Sequence, residues 1–172
     1  MLKLPPADCI IVPVVYKRRR STLKRGKTAP KKKSKEKTTQ KLTKELDAVV
    51  SRFVRLQAAD HEGIVQCFTC PQKTTIKKIQ CGHYVSRFYK ATRWDLRNLR
   101  PQCFWCNIWK RGDPVTFRER LVKELGEAVV TEMEAARSYS YKLDKVWLQS
   151  EIDRYSLLLK EKVSNGNEVS HT

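Results

Sequence analysis

Acidic side chains are scarce in this 172-residue chain: 18 Asp and Glu stand against 36 Lys and Arg, a formal net charge of +18. A field of that strength gathers polyanions and makes binding steeply dependent on salt, so nucleic acid is the expected partner. Long apolar runs are missing too. No window approaches the roughly 18 apolar residues that a membrane-spanning helix requires, which argues against a membrane partner. The short apolar run from Cys9 to Tyr16 is broken by Pro13. It also lacks a basic segment before it and a small-residue cleavage site after it, so it does not read as a secretory signal, and a cytoplasmic location is expected. There is no internal repeat. The length suits one compact domain with room for a tail.

Basic residues are distributed unevenly. Residues 1–44 hold 15 Lys or Arg and two acids, Asp8 and Glu36, and read as a basic arm with too little apolar surface to order itself until it meets a polyanion. From Cys67 to Arg111 there are ten basic residues and one acid, Asp95, so the middle of the chain is strongly positive without the arm. Leu42, Leu46, Val49, Phe53 and Leu56 recur at helical spacing and predict a packing helix that ends before Gly63. Asp113-Pro114 marks a second helix start, with Asp able to cap and Pro at the first helical position, followed by Phe117, Leu121, Leu125, Ala128 and Val129 on one face. Leu148, Ile152, Tyr155 and Leu159 predict a further helix, which is expected to pair with the preceding one as an antiparallel hairpin. Residues 165–172 read as a frayed tail.

Six cysteines are present, and four of them form two C-x-x-C pairs, Cys67/Cys70 and Cys103/Cys106. Four thiolates are the number that a closed structural zinc site takes, and a two-residue spacer lets both sulfurs of a pair reach one ion. An iron–sulfur cluster and an oxidised redox pair are the competing readings; the basic surroundings and the lack of a βαβ pattern disfavour both. Thirty-two residues separate Cys70 from Cys103, against about 15 to 20 in a simple ribbon, so something besides a clip is built between the pairs. In that gap stand His83, after the β-branched stretch "TTIKKIQC", and Asn98, opening "NLRPQC". Each stretch predicts a short strand. Asn107 directly follows the fourth cysteine, where a helix is expected, with Lys110 and Arg111 a turn further on. Cys81 is read as a buried structural thiol, Trp94 as core, and Trp105 and Trp109 as a cover over the zinc, with stacking on an unpaired base as the minority reading.

The order C-x-x-C, His, N-L-x-P-x-C-x-x-C-N resembles the zinc-bearing HNH branch of the ββα-metal nucleases. More closely, "CGHYVSR", "TRWDLRN", "PQCFWCN" and "LGEAVVTEME" resemble the phage recombination family called NinG or Rap, which is associated with endonuclease action on branched DNA. The resemblance runs from about Gln57 to Lys162.

It implies that His83 is the general base, that Asn107 holds or orients a catalytic Mg²⁺ or Mn²⁺, and that Asn98 braces the loop that positions His83. It also implies a structural Zn²⁺ on the four cysteines and a location in the host cytoplasm. Many HNH sites carry Asp immediately before the His as the second protein ligand to the ion, and here that position is Gly82. Asp95, the only carboxylate between the cysteine pairs, is the candidate replacement. Arg87, Arg93, Arg97, Arg100, Lys110 and Arg111 are expected to contact phosphates, which positions a nucleic acid without reading its sequence.

The expected fold is α+β and mostly helical: a small ββα-metal module stapled by the four-cysteine zinc site, flanked by an N-terminal helix and a C-terminal helical hairpin within residues 45–164. The expected function is metal-dependent endonuclease action on branched or recombination-intermediate DNA, such as a four-way junction. A non-catalytic, zinc-stabilised nucleic-acid-binding protein on a degenerate HNH scaffold is the alternative. Paired cutting of a junction would call for a homodimer, for which the C-terminal helices offer a face.

Overall fold

The structure, a computed structural model, describes residues 36–168. Most of the basic arm, residues 1–35, and the end of the tail, residues 169–172, lie outside the described residues. Helix α1, Thr39–Gln57, is capped by Thr38, whose hydroxyl accepts from the backbone N–H of Lys41. Residues 39–44, assigned above to the arm, are therefore its first turn and a half. The charge run misled there because Leu42 and Leu46 already belong to the buried stripe, which Val50, Phe53 and Val54 complete.

After α1 come two separate hairpins. The first joins β1, Ile64–Gln66, to β2, Lys73–Thr75; the second joins β3, Gln80–His83, to β4, Leu99–Gln102. The stretch expected to be one strand before His83 is thus two, separated by a turn in which the N–H groups of Lys78 and Ile79 bond back to the carbonyl of Thr75. In the second hairpin Gln80 faces Gln102 and His83 faces Leu99. A single turn with the i→i+5 bond of a π-helix, Trp105–Trp109, comes after Cys103 and contains Cys106.

Two helices, α2 (Pro114–Leu125) and α3 (Glu127–Ala135), replace the one expected there, because Gly126 sits at φ +90°, a conformation that breaks a helix and that L side chains rarely adopt. The break shifts the phase of the apolar stripe: Val130 and Met133 are buried, whereas Ala128 is exposed. Pro114 does open α2, but Asp113 is left-handed and makes no backbone cap; its carboxylate accepts from Thr116 Oγ1 at 3.0 Å instead.

The last helix, α4 (Lys145–Glu168), buries Leu148, Ile152, Tyr155 and Leu159 as the spacing predicts. Its partner is not the one expected. It packs along α1, with Trp94 and Leu99 completing that cluster, whereas α2 and α3 pair with each other around Val85. Each amphipathic stripe specifies that a face is buried, not against what. Residues 165–168, expected to fray, continue α4. Among the described residues no helix is long and apolar enough to cross a membrane.

Candidate functional site

The four cysteines converge from two loops. Cys67 and Cys70 connect β1 to β2, and Cys103 and Cys106 follow β4. Their sulfurs all lie within 4.8 Å of one another, with Cys70 Sγ and Cys103 Sγ 3.8 Å apart. A tetrahedral zinc with sulfur bonds of about 2.3 Å has sulfur–sulfur edges of about 3.8 Å, so the set fits the ion. Backbone N–H groups already aim at the sulfurs: Cys103 N–H donates to Cys67 Sγ at 3.3 Å and Cys106 N–H to Cys103 Sγ at 3.4 Å. Burial pushes the Cys67 thiol up, but the Cys103 and Thr69 donors outweigh it and bring it down to about 6; burial pushes Cys70 up to about 12. Four thiolates at this spacing need a cation to coexist. The cluster can hold a metal ion such as zinc, and Val65 and Ile79 close the apolar shell around it. Cys81 stands apart: it packs against the α1/α4 core, and burial pushes its thiol up to about 12.

Below the metal site, Gln102 is fully buried. Its amide nitrogen donates to Thr69 Oγ1 at 3.0 Å and to the Gly112 carbonyl at 2.8 Å, and Thr69 Oγ1 in turn lies 3.6 Å from Cys67 Sγ. The side chain lies across Gly82, where a Cβ would stand 2.2 Å from Gln102 Oε1. Position 82 therefore cannot carry the Asp of the HNH pattern while Gln102 keeps its bonds. Neither the role of Gln102 nor that of Thr69 had a signal in the sequence.

His83 ends β3 and turns towards α1. It lines a cleft of about 340 Å³ with Lys44, Asp47 and Ser51 of α1 and with Arg87 and Arg93 of the following loop. Its Nε2 lies 3.2 Å from the Arg93 carbonyl, which can only accept, so the Nε2 nitrogen carries the hydrogen. That assignment leaves the Nδ1 lone pair available. Burial holds the imidazole below its usual 6.5, and hence neutral at physiological pH. Asp47 is gripped by Arg93 at 2.6 and 2.9 Å and by Trp94 Nε1 at 2.8 Å. Lys44 and Asp47 escaped the sequence reading because nothing in the pattern of α1 connects it to a histidine about 36 residues away.

Asn98 is fully buried under the loop that follows His83. Its Oδ1 accepts from Val85 N–H at 2.7 Å, and its Nδ2 donates to the Val85 and Thr92 carbonyls, both at 2.9 Å. These bonds clamp both ends of the loop and so hold Arg93 over His83.

Asn107 is not brought to His83. Its Nδ2 donates to Gln80 Oε1 at 2.6 Å, at the other end of β3. Three residues of strand span about 10 Å, and residues an odd number apart point to opposite faces of the pleat. Cys81 and His83 accordingly face α1, and Gly82 faces Gln102. Asp95 is also elsewhere: it accepts from Arg97 N–H as the cap of the turn Leu96–Asn98, and it pairs with the Arg97 guanidinium. The two side chains expected to hold a catalytic divalent ion thus do not fit one. Among the described residues the four cysteines form the only group of three or more His, Cys, Asp or Glu placed to share an ion.

The arginines are less available than their density in the sequence suggests. Arg93 pairs with Asp47, Arg97 with Asp95 and Glu132, Arg100 with Glu124, and Lys110 with Asp113. Asp47, Glu124 and Glu132 arrive from helices outside the basic stretch, which is why counting acids within it overstated its free charge. Among the described residues Arg87 and Arg111 have no carboxylate partner within ion-pair distance.

The family model described as Bacteriophage Lambda NinG protein matches residues 14–164. Curated proteins named "Protein ninG" are similar over a shorter stretch. Those of Escherichia phage 933W and Salmonella phage P22 are 30% and 31% identical over 93 residues, which is 54% of this chain and 44% and 43% of theirs, and that of Escherichia phage lambda is 29% identical over 93 residues. The matched stretch thus spans less than half the length of these relatives. No solved structure matches. With its family match running through both cysteine pairs, His83 and the four helices, the chain belongs to the NinG family.

Proposed function

We propose that this NinG-family chain is a DNA endonuclease of HNH-like type that hydrolyses phosphodiesters in branched or recombination-intermediate DNA, with His83 as the general base. The observation that carries the reading is the state of His83: neutral, its tautomer fixed by the Arg93 carbonyl, its Nδ1 free, in a cleft lined by Lys44, Arg87 and Arg93. A water held at Nδ1 gives up its proton as its oxygen attacks phosphorus, the bond from phosphorus to the leaving oxygen breaks, and that oxygen takes a proton from solvent. The cationic side chains of the cleft hold the phosphate and its developing charge. Arg93 is positioned for this by Asp47, which it can exchange for a phosphate of similar bidentate geometry. Mg²⁺ or Mn²⁺ belongs to the reading as an ion recruited with the DNA, and Asp47 is the one carboxylate that lines the cleft.

The separation of Asn107 from His83 and the closed position 82 favour a second reading, in which the same scaffold binds nucleic acid without cutting it. One assay distinguishes them. Purified protein is incubated with a four-way junction and Mg²⁺ or Mn²⁺, alongside His83→Ala. Cleavage is expected from the wild type and a fall of about 10²- to 10⁴-fold in the variant, with zinc content and DNA affinity retained. Because the pKa of His83 lies below 6.5, cleavage should be flat above that pH and fall as acid protonates the ring. Junction binding without cleavage by the wild type leaves the binding protein as the answer.

A further inference from the structure

The turn that carries Cys106 leaves an aromatic surface bare. Trp105 is 57% exposed, Trp109 65%, Phe104 53% and Ile108 51%, whereas Trp94 in the α1/α4 core is 8% exposed. These tryptophans do not cover the metal site, as the sequence suggested. The turn is only five residues long, its Cys106 side is committed to the sulfur cluster, and Trp105 and Trp109, four residues apart, share another side. Their rings stand 6.0 Å apart between centroids at an interplanar angle of 31°, tilted towards parallel rather than edge-to-face. A pair arranged edge to face would occupy one ring's face with its partner's edge; a pair tilted towards parallel and more than half exposed keeps ring surface open to solvent.

Exposed cations lie near it along the chain. Arg111 stands two residues after Trp109, exposed and without a carboxylate partner among the described residues. Lys77 and Lys78 lie in the β2–β3 turn, two and three residues before Gln80, whose side chain bonds to Asn107 of the aromatic turn. They too are exposed and unpaired among the described residues. An exposed aromatic surface accompanied by unpaired Lys and Arg matches single-stranded nucleic acid, in which bases stack on the rings and phosphates meet the cations. Protein–protein interfaces, by contrast, are depleted in Lys. Paired duplex bases already stack on one another, so only an unpaired base has a face to offer.

We propose that Trp105 and Trp109 form a stacking platform for unpaired DNA bases, with Lys77, Lys78 and Arg111 holding the flanking phosphates. The proposal rests on the reading of the chain as a DNA-acting protein and adds that the metal-bearing turn, on the other face of the β3–β4 hairpin from His83, holds the unpaired segment of its substrate.

The test uses the full zinc-bound chain without Mg²⁺ or Mn²⁺, titrated with a labelled oligothymidylate and with an abasic strand of the same length. The wild type is expected to bind the base-bearing strand about 5- to 150-fold more tightly for each base that stacks. Trp105→Ala and Trp109→Ala should lose that preference at unchanged zinc content and salt slope, and Trp109→Phe should keep part of it. Equal binding of the two strands by the wild type, or a preference that survives in both alanine variants, overturns the platform. So does a wild-type dimer that Trp105→Ala converts to monomer in sedimentation, which would assign the surface to a second copy of the chain. Binding is read apart from cutting: a protein that prefers bases and never cleaves upholds the platform while ending the nuclease reading.

Discussion

Replacing Asn98 with alanine should cost about 3 kcal/mol of stability. The side chain is fully buried and satisfies three backbone groups: the N–H and carbonyl of Val85 and the carbonyl of Thr92. A buried backbone group stripped of its partner costs about 1–3 kcal/mol, so three would total about 3–9 kcal/mol if the loop stayed closed and dry. Water entering the vacated space recovers part of that sum, which brings the loss to the size seen when a buried hydrogen-bond network is broken. For a unit of this size the melting temperature should fall by about 10 °C. Urea unfolding at saturating zinc, followed by tryptophan fluorescence, measures it. Asn98→Asp is the sharper comparison, because it keeps the shape but as a carboxylate has no hydrogen to donate to either carbonyl. It should be at least as unstable at neutral pH. The loop clamped by Asn98 leads into the Arg93 carbonyl that fixes the His83 tautomer, so under the proposed nuclease function both variants should also lose cleavage at temperatures where they remain folded. A loss below 1 kcal/mol in Asn98→Ala would show that the three bonds do not hold the loop.

Gly82→Ala forces Gln102 away from Thr69 and Gly112, at about 1–3 kcal/mol. In a double-mutant cycle with Gln102→Ala the two losses should be clearly non-additive, and simple addition would show that the side chains do not meet. Metal analysis should find one zinc per chain, unchanged in Cys81→Ser and lost in Cys106→Ser. Stripping the ion with a chelator should melt the β1–β2 region, since such sites contribute on the order of 10 kcal/mol, and a chain that kept its thermal transition after metal removal would refute the staple.

The sequence by itself determined the pieces whose physics is local. Two C-x-x-C pairs predict a four-sulfur cluster because a two-residue spacer lets both sulfurs of a pair reach one point, and the four sulfurs do converge. The apolar stripes of α1 and α4 are visible because a helix repeats every 3.6 residues. His83 stood out as the one histidine between the cysteine pairs, whereas Asn98 was marked through the family resemblance and not by a local signal.

What the sequence could not determine was anything set by the meeting of distant segments. The partner of α4 was mistaken because a stripe is equally apolar whichever helix covers it. Gly126 split a helix whose apolar spacing alone read as continuous. The arginines lost much of their free charge to Asp47, Glu124 and Glu132, acids that only folding brings near. Asn107 and His83 come apart because strand alternation sends residues 80 and 83 to opposite faces, and the bond to Gln80 fixes which face Asn107 serves. Tertiary structure alone turned Trp105 and Trp109 outward, since whether an aromatic is core or surface depends on what the chain has left to lay over it.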